Sequence, residues 1–299
     1  MTTARSTSSG TLTTPDGTHL AYRDHRPATK PLPTEPLPPE PSAPEPSAPE
    51  PSAPESPPTF LLLHGLAGTQ GEWDDLATRL SADDGHRVVT YDARGHGAST
   101  RIPPSTTRQT HVQDAVSLIE KLGLAPVILL GQSLGGHTAM LLAASHPHLV
   151  KSLILVEAGP AGPTPDLPAQ IAAWLDSWPT PFPSLREAEA FLGHEAWTKT
   201  LEKREDGWHP AFDPTTIIDT VTELATTAYW PEWSRITCPT LLVQGEHGTM
   251  RPDEPATMLT HRPDTRVVRV PHAAHDVHLD QPDRLHEAIR TFLLDLKFD

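Results

Sequence analysis

The sequence of 299 residues contains a single cysteine, Cys238, so no disulfide can close within the chain and a cysteine-rich zinc site is excluded. Basic residues are also scarce. Lys and Arg number 23 against 38 Asp and Glu, a formal net charge of −15. A surface of that sign is not built to neutralise phosphates, so nucleic acid is not expected as a partner. No apolar run approaches the roughly 18 residues that a membrane span needs, and Met1 to Gly10 is rich in Ser and Thr without the apolar stretch of a signal peptide. The expectation is a soluble, cytoplasmic protein with no membrane partner. Oligomeric state leaves no mark in the sequence.

What the chain has in excess is proline, 35 residues, more than twice the ordinary share of roughly 5%. Residues 31–58 hold 13 of them, Pro41-Ser42-Ala43-Pro44-Glu45 recurs as residues 46–50 and 51–55, and glutamates stand at 35, 40, 45, 50 and 55. This tract lacks the aromatic and β-branched side chains, Thr34 apart, that would bury enough apolar surface to offset ordering entropy, and evenly spaced like charges favour extended polyproline II. Disorder is expected there. The tract reads as a tolerated repeat expansion in a surface loop more than as a docking site for a proline-recognising domain.

The length suits one large α/β domain with an insertion or two modest domains. Pro15-Asp16-Gly17 between two short runs, Thr11 to Thr14 and Thr18 to Arg23, signals a β-hairpin. Six nearly continuous apolar runs follow, at 60–63, 88–91, 127–130, 153–156, 241–243 and 267–270, as expected of parallel strands covered on both faces. Between them, apolar residues recur at helical spacing: Trp73, Leu76 and Leu80; Val112, Val116, Ile119 and Leu122; Leu285, Ile289, Phe292, Leu293 and Leu296. Alternating strand and helix predict a mostly parallel, doubly wound sheet. From about Gly159 to Ser234 no strand is legible, and six of the seven tryptophans fall there. A helical insertion over the sheet is expected, its tryptophans serving either its own core and its seam with the sheet or an apolar substrate pocket.

Gly131-Gln132-Ser133-Leu134-Gly135 directly follows the run at 127–130 and leads into a helical stretch. G-x-S-x-G between a strand and a helix lifts a serine on a sharp turn, where side chains two residues either side would collide with neighbouring elements. The helix N-terminus favours negative charge developing at the serine oxygen. After the run at 60–63 comes His64-Gly65-Leu66-Ala67-Gly68, a loop that can aim the Leu66 N–H at the same place as the N–H of Leu134, together an oxyanion hole. His64 itself reads as structural. At the far end His272, His275 and His278 follow the last strand, where a histidine can reach the carboxyl edge of the sheet as a base. As a metal cluster they lack a carboxylate-rich partner set, so no metal is expected.

Taken with Leu62-Leu63-His64-Gly65, Asp92-Ala93-Arg94-Gly95-His96-Gly97-Ala98-Ser99 and Ala274 to Pro282, these motifs resemble the α/β-hydrolase fold, in its capped, esterase-like kind. The resemblance covers nearly everything outside the proline tract. It divides the chain into an N-terminal hairpin of the core at 1–30, the tract at 31–58, a core segment with the nucleophile elbow at 59–159, a helical cap at 160–234 and a core segment with the catalytic histidine at 235–299. It implies Ser133 as nucleophile and His275 as general base, and a structural role for the Asp92 to Ser99 turn. A serine rather than an aspartate on the elbow argues against the haloalkane dehalogenase and epoxide hydrolase branches.

The sequence departs from that family at the acid. The usual place is G-x-x-D after the strand before last, and here it reads Gly245-Glu246-His247-Gly248. Some relatives carry the acid after the strand that follows the elbow helix, which makes Glu157 the first candidate, ahead of Glu246 and Asp253. The expected activity is hydrolysis of a carboxylic ester, lactone or thioester of a small apolar acyl substrate through an acyl-enzyme, with no cofactor. The alternatives are carbon–carbon hydrolysis of a diketone, which capped relatives with the same triad perform, and a catalytically silent protein that binds a small-molecule ligand.

Overall fold

The computed structural model describes residues 6–27 and 57–296. Apart from Pro57 and Pro58, the tract at 31–58 lies outside the described residues. The hairpin strands β1 (Ser6–Thr13) and β2 (His19–Arg26) pair antiparallel across the turn at Asp16 and Gly17. They run further than the turn signal alone predicts, because β2 also pairs with the sheet. Next come β3 (Thr59–Leu63), α1 (Asp74–Ala82), β4 (Val88–Tyr91), α2 (Arg108–Lys121), β5 (Val127–Gln132), α3 (Ser133–Ser145) and β6 (Val150–Val156). The insert then supplies α4 (Leu167–Asp176), α5 (Leu185–Leu192), β7 (Leu201–Arg204), β8 (Gly207–Pro210), α6 (Pro214–Thr226) and α7 (Trp230–Arg235). The chain closes with β9 (Thr240–Gly245), α8 (Glu254–His261), β10 (Arg266–Val270), α9 (Val277–Asp280) and α10 (Pro282–Asp295).

Eight strands form one sheet in the order β1-β2-β4-β3-β5-β6-β9-β10, parallel from β4 to β10. Strand alternation explains why the apolar runs are continuous. Leu61, Leu63, Leu129, Leu153 and Leu155 face one side, under Val112, Ile119, Met140 and Leu142 of α2 and α3. Phe60, Leu62, Ile128, Leu130 and Val156 face the other, under Leu76, Leu80, Leu285 and Ile289 of α1 and α10. Side chains buried to this degree each contribute about 1.5–3 kcal/mol, so the central strands anchor everything mounted on their ends.

The strand order reverses beside β3: the chain passes from β3 to β4 on one flank, then crosses to β5 on the other. At such a switch point the loops after neighbouring strands part and leave a crevice at the carboxyl edge. The loops after β3 and β5 open into it.

The insert is not purely helical, which corrects the sequence reading. Leu201 to Pro210 folds into the β7–β8 hairpin around Glu205 and Asp206, and Phe182 bridges to Trp208. Only the first residue of each strand is buried, so neither has the alternating apolar face that a sequence signal requires. Among the described residues no helix is long and apolar enough to cross a membrane.

Candidate active site

Ser133 stands where β5 meets α3, with a left-handed backbone at φ 49. That conformation is costly for a residue with a Cβ and persists only where its surroundings over-determine it. Here they do, since a Cβ on Gly135 would overlap the carbonyls of Leu63 and His64, and one on Gly131 would run into the Gly135–Gly136 backbone. The elbow is therefore pressed against β3 with no room for anything but glycine on either side.

The loop after β3 is pinned by two histidines. His64 donates from Nδ1 to the Gly65 carbonyl at 2.7 Å and accepts the Ala93 amide on Nε2 at 2.9 Å. His96 donates to the Arg94 carbonyl at 2.9 Å and accepts the Ala67 amide at 3.1 Å. Burial holds the His96 ring down to about 3, so it keeps the lone pair that this bond needs. The Asp92 to Ser99 turn is fixed in the same manner. Asp92 accepts the amides of Gln70 at 2.7 Å and Ala98 at 3.0 Å, while Arg94 forms a buried two-pronged pair with Asp114 at 2.7 and 2.6 Å.

His275 comes from the loop between β10 and α9, and Gln132, next to the serine, donates to its carbonyl at 3.2 Å. Its Nδ1 lies 2.8 Å from the Thr249 hydroxyl and 3.5 Å from the Glu157 carboxylate. Glu157 is buried at the end of β6 with a left-handed φ of 50. Its carboxylate accepts the amides of Gly245 at 2.8 Å, the last residue of β9, and of Thr249 at 2.7 Å and Met250 at 3.3 Å from the loop that follows. A Cβ on Gly248 would overlap that carboxylate. Where the resemblance leads one to expect aspartate, then, the Glu157 carboxylate occupies the space beside Gly248.

The other candidate acids are directed elsewhere. Glu246 is exposed and accepts the His272 amide at 2.9 Å, a bond that holds its carboxyl below the ordinary range. Asp253 is exposed at the start of α8. The three late histidines also separate: His272 turns to Glu246, and His278 is buried against Trp73 and Glu72. Among the described residues no group of three His, Cys, Asp or Glu side chains could hold a metal ion.

Sequence reasoning missed several residues around this centre. Thr249, bonded to Nδ1, carries no signal as a lone threonine after Gly248. Asp276 accepts the Trp197 indole at 2.9 Å, tying the insert to the histidine loop. Arg108, fully buried and pulled down to about 10 by that burial, donates to the Leu134 carbonyl at 3.1 Å and to Thr138. Its Nε also donates to His137 at 3.3 Å, so the N-terminal turn of α3 is braced from behind.

Ser133, His275, Glu157, Leu66 and Leu134 all line one cavity of about 700 Å³ between the sheet edge and the insert. Leu167, Ile171, Trp174, Phe191, Val221 and Leu224 form its apolar wall. The tryptophans serve both of the alternatives, pocket and core. Trp174 and Trp197 face the cavity, Trp178 packs in the insert's own core with Phe182 and Phe212, and Trp233 joins the core beneath the sheet.

The sequence profile of the family described as alpha/beta hydrolase fold matches residues 58–282. The sn-1-specific diacylglycerol lipase ABHD11 of Mus musculus is 29% identical over 256 residues, 79% of this chain and 81% of that protein. The 2-(acetamidomethylene)succinate hydrolase of Mesorhizobium japonicum is 27% identical over 249 residues, 80% of this chain and 88% of that one. A crystal structure of E-2-(acetamidomethylene)succinate hydrolase superposes with a TM-score of 0.77 at 22% identity, covering 96% of this chain and 99% of the other. The enol-lactonase of Burkholderia xenovorans LB400 superposes with a TM-score of 0.71 at 20% identity, covering 95% and 100%.

Proposed function

The chain belongs to the alpha/beta hydrolase fold family, and we propose that within it this protein is a serine hydrolase that cleaves a carboxylic ester, lactone or thioester. The observation that carries the reading is the convergence, in one cavity, of a serine on a strained elbow and a histidine whose Nδ1 lies 3.5 Å from a buried carboxylate. With Nδ1–H donating to the Thr249 hydroxyl, Nε2 keeps the lone pair that a base needs. His275 takes the Ser133 proton as Oγ bonds to the acyl carbon, and the carbonyl oxygen becomes an oxyanion held by the N–H groups of Leu66 and Leu134. The imidazolium, steadied by the Glu157 charge, returns its proton to the leaving group as the tetrahedral intermediate collapses. Water, deprotonated by His275, then splits the acyl-enzyme, releasing the acid and restoring the serine. No cofactor enters these steps, and the insert acts as a cap that shapes the acyl site.

The names of the two curated relatives span a neutral lipid and a succinate with two carboxylates. Substrate class for this chain therefore has to come from its own lining. Rapid mixing with a chromogenic short-chain ester tests the chemistry: a product burst stoichiometric with enzyme is expected. Ser133→Ala should remove the burst and lower the rate by at least about a thousandfold. A burst that survives the substitution would refute the reading.

A further inference from the structure

The cavity around Ser133 is lined by charge of one sign. Its lining includes the acidic residues Glu157, Glu254 and Asp276 and, among the described residues, no lysine or arginine. Glu157 belongs to the histidine, and Asp276 is held by the Trp197 indole and by Gln132. Glu254 has no part in the chemistry. It sits in the first turn of α8 at 8% exposure, and its Oε1 accepts the Ala161 amide at 2.9 Å, where the chain leaves β6 for the insert. A Cβ on Gly159 would overlap that carboxyl, so the backbone opposite has been kept bare to admit it.

The guanidinium groups in the vicinity are not themselves part of the lining and are already bonded. Arg251 directs its Nη2 to the Pro163 carbonyl and the Thr164 hydroxyl, each at 3.1 Å, and Arg108 is held behind the elbow. Burial raises the Glu254 carboxyl above its ordinary value and the charge of Arg251 works against that rise, the mark of a site where charge is poorly solvated. A second anion brought here would meet like charge in a site partly screened from water, where Coulomb interactions exceed those in bulk. The one guanidinium whose charge is felt at Glu254, that of Arg251, is already bonded to Pro163 and Thr164, so a second anion would lack a cation of its own to offset its desolvation.

Resting on the serine-hydrolase reading of the same cavity, we propose that the acyl group taken by this site is uncharged and apolar, and that Glu254 is the specificity-determining residue that turns carboxylate-bearing chains away. Repulsion of the wrong charge is a standard route to discrimination. It has a signature that apolarity alone lacks: an apolar wall rejects both charge signs, whereas a carboxylate rejects one and tolerates the other.

Three fluorophosphonates of equal chain length, ending in methyl, trimethylammonium and carboxylate, separate these cases by their rates of covalent labelling. On the unaltered protein the methyl probe should label Ser133 fastest and the carboxylate probe slowest, at least about tenfold behind the trimethylammonium one. Glu254→Gln, which keeps the shape and an acceptor for the Ala161 amide, should narrow that cation-to-anion ratio several-fold. Equal rejection of both charged probes by the unaltered protein, or an unchanged ratio in the variant, overturns the role of Glu254. A carboxylate probe as fast as the methyl one overturns the substrate class. If none of the three labels Ser133, it is the serine-hydrolase reading that falls.

Discussion

The loops after β6 and β9 each carry a glutamate close to the histidine loop, yet they use it in opposite ways. After β6, Glu157 leaves the sheet with a left-handed backbone, is buried, and sends its carboxylate across to three amides at the end of β9 and in its loop, 3.5 Å from His275 Nδ1. After β9, Glu246 stays exposed and caps the His272 amide. The residue type is the same and the surroundings decide the role. The two loops also share one space, because the carboxylate of the first lies where a Cβ at Gly248 of the second would be. A missing aspartate on one strand and a buried glutamate on its neighbour thus describe a single arrangement, in which a carboxylate reaches the histidine from the other side.

Moving the carboxylate between the two loops is the strongest way to break that comparison. Glu157→Gly, which suits the backbone at φ 50, should lower kcat by about two to four powers of ten, and adding Gly248→Asp should recover at least about tenfold of it. Measured at saturating ester, an absence of recovery would show that the β9 loop no longer accepts an acid. Gly248→Asp alone meets the Glu157 carboxylate and should cost about 1–3 kcal/mol of stability, read as a lower Tm. Thr249→Val sharpens the comparison with a smaller effect. Loss of the hydroxyl at 2.8 Å from Nδ1 should lower kcat by about tenfold with KM little changed. An unaltered kcat would make the carboxylate alone responsible for orienting the ring.

Much of this was legible in the sequence, for reasons that differ by element. The central strands reveal themselves because both faces are buried, and the elbow because its turn tolerates only glycine on either side of the serine. The β7–β8 hairpin was hidden, since strands with one buried residue each carry no period. The acid was narrowed to Glu157, Glu246 and Asp253 by motif, but choosing among them requires a distance across two loops that sequence spacing does not encode. Thr249 and Glu254 were invisible for a related reason: their importance lies in what the fold brings beside them.

Burial separates the histidines as it separates the glutamates. His96, His111 and His137 are buried and held neutral, with burial the leading cause in each. The unfolded chain takes protons on these rings below about pH 6.5 that the folded chain refuses, so stability is fully present above that pH. It should fall as the medium is acidified, by up to about 1.4 kcal/mol per ring per pH unit. A melting series from about pH 7 to pH 5 should show Tm declining, and a flat series would contradict the neutral assignment of these rings.

The most direct test of the central claim sets Glu157→Gln beside Glu246→Gln in one assay of kcat at saturating ester. The Glu157 variant keeps its shape but loses the charge that steadies the imidazolium, and should fall by at least about a hundredfold, while the Glu246 variant stays within about twofold of the unaltered enzyme. The reverse pattern, with Glu246→Gln crippled and Glu157→Gln nearly intact, would contradict the account and move the acid to the loop after β9.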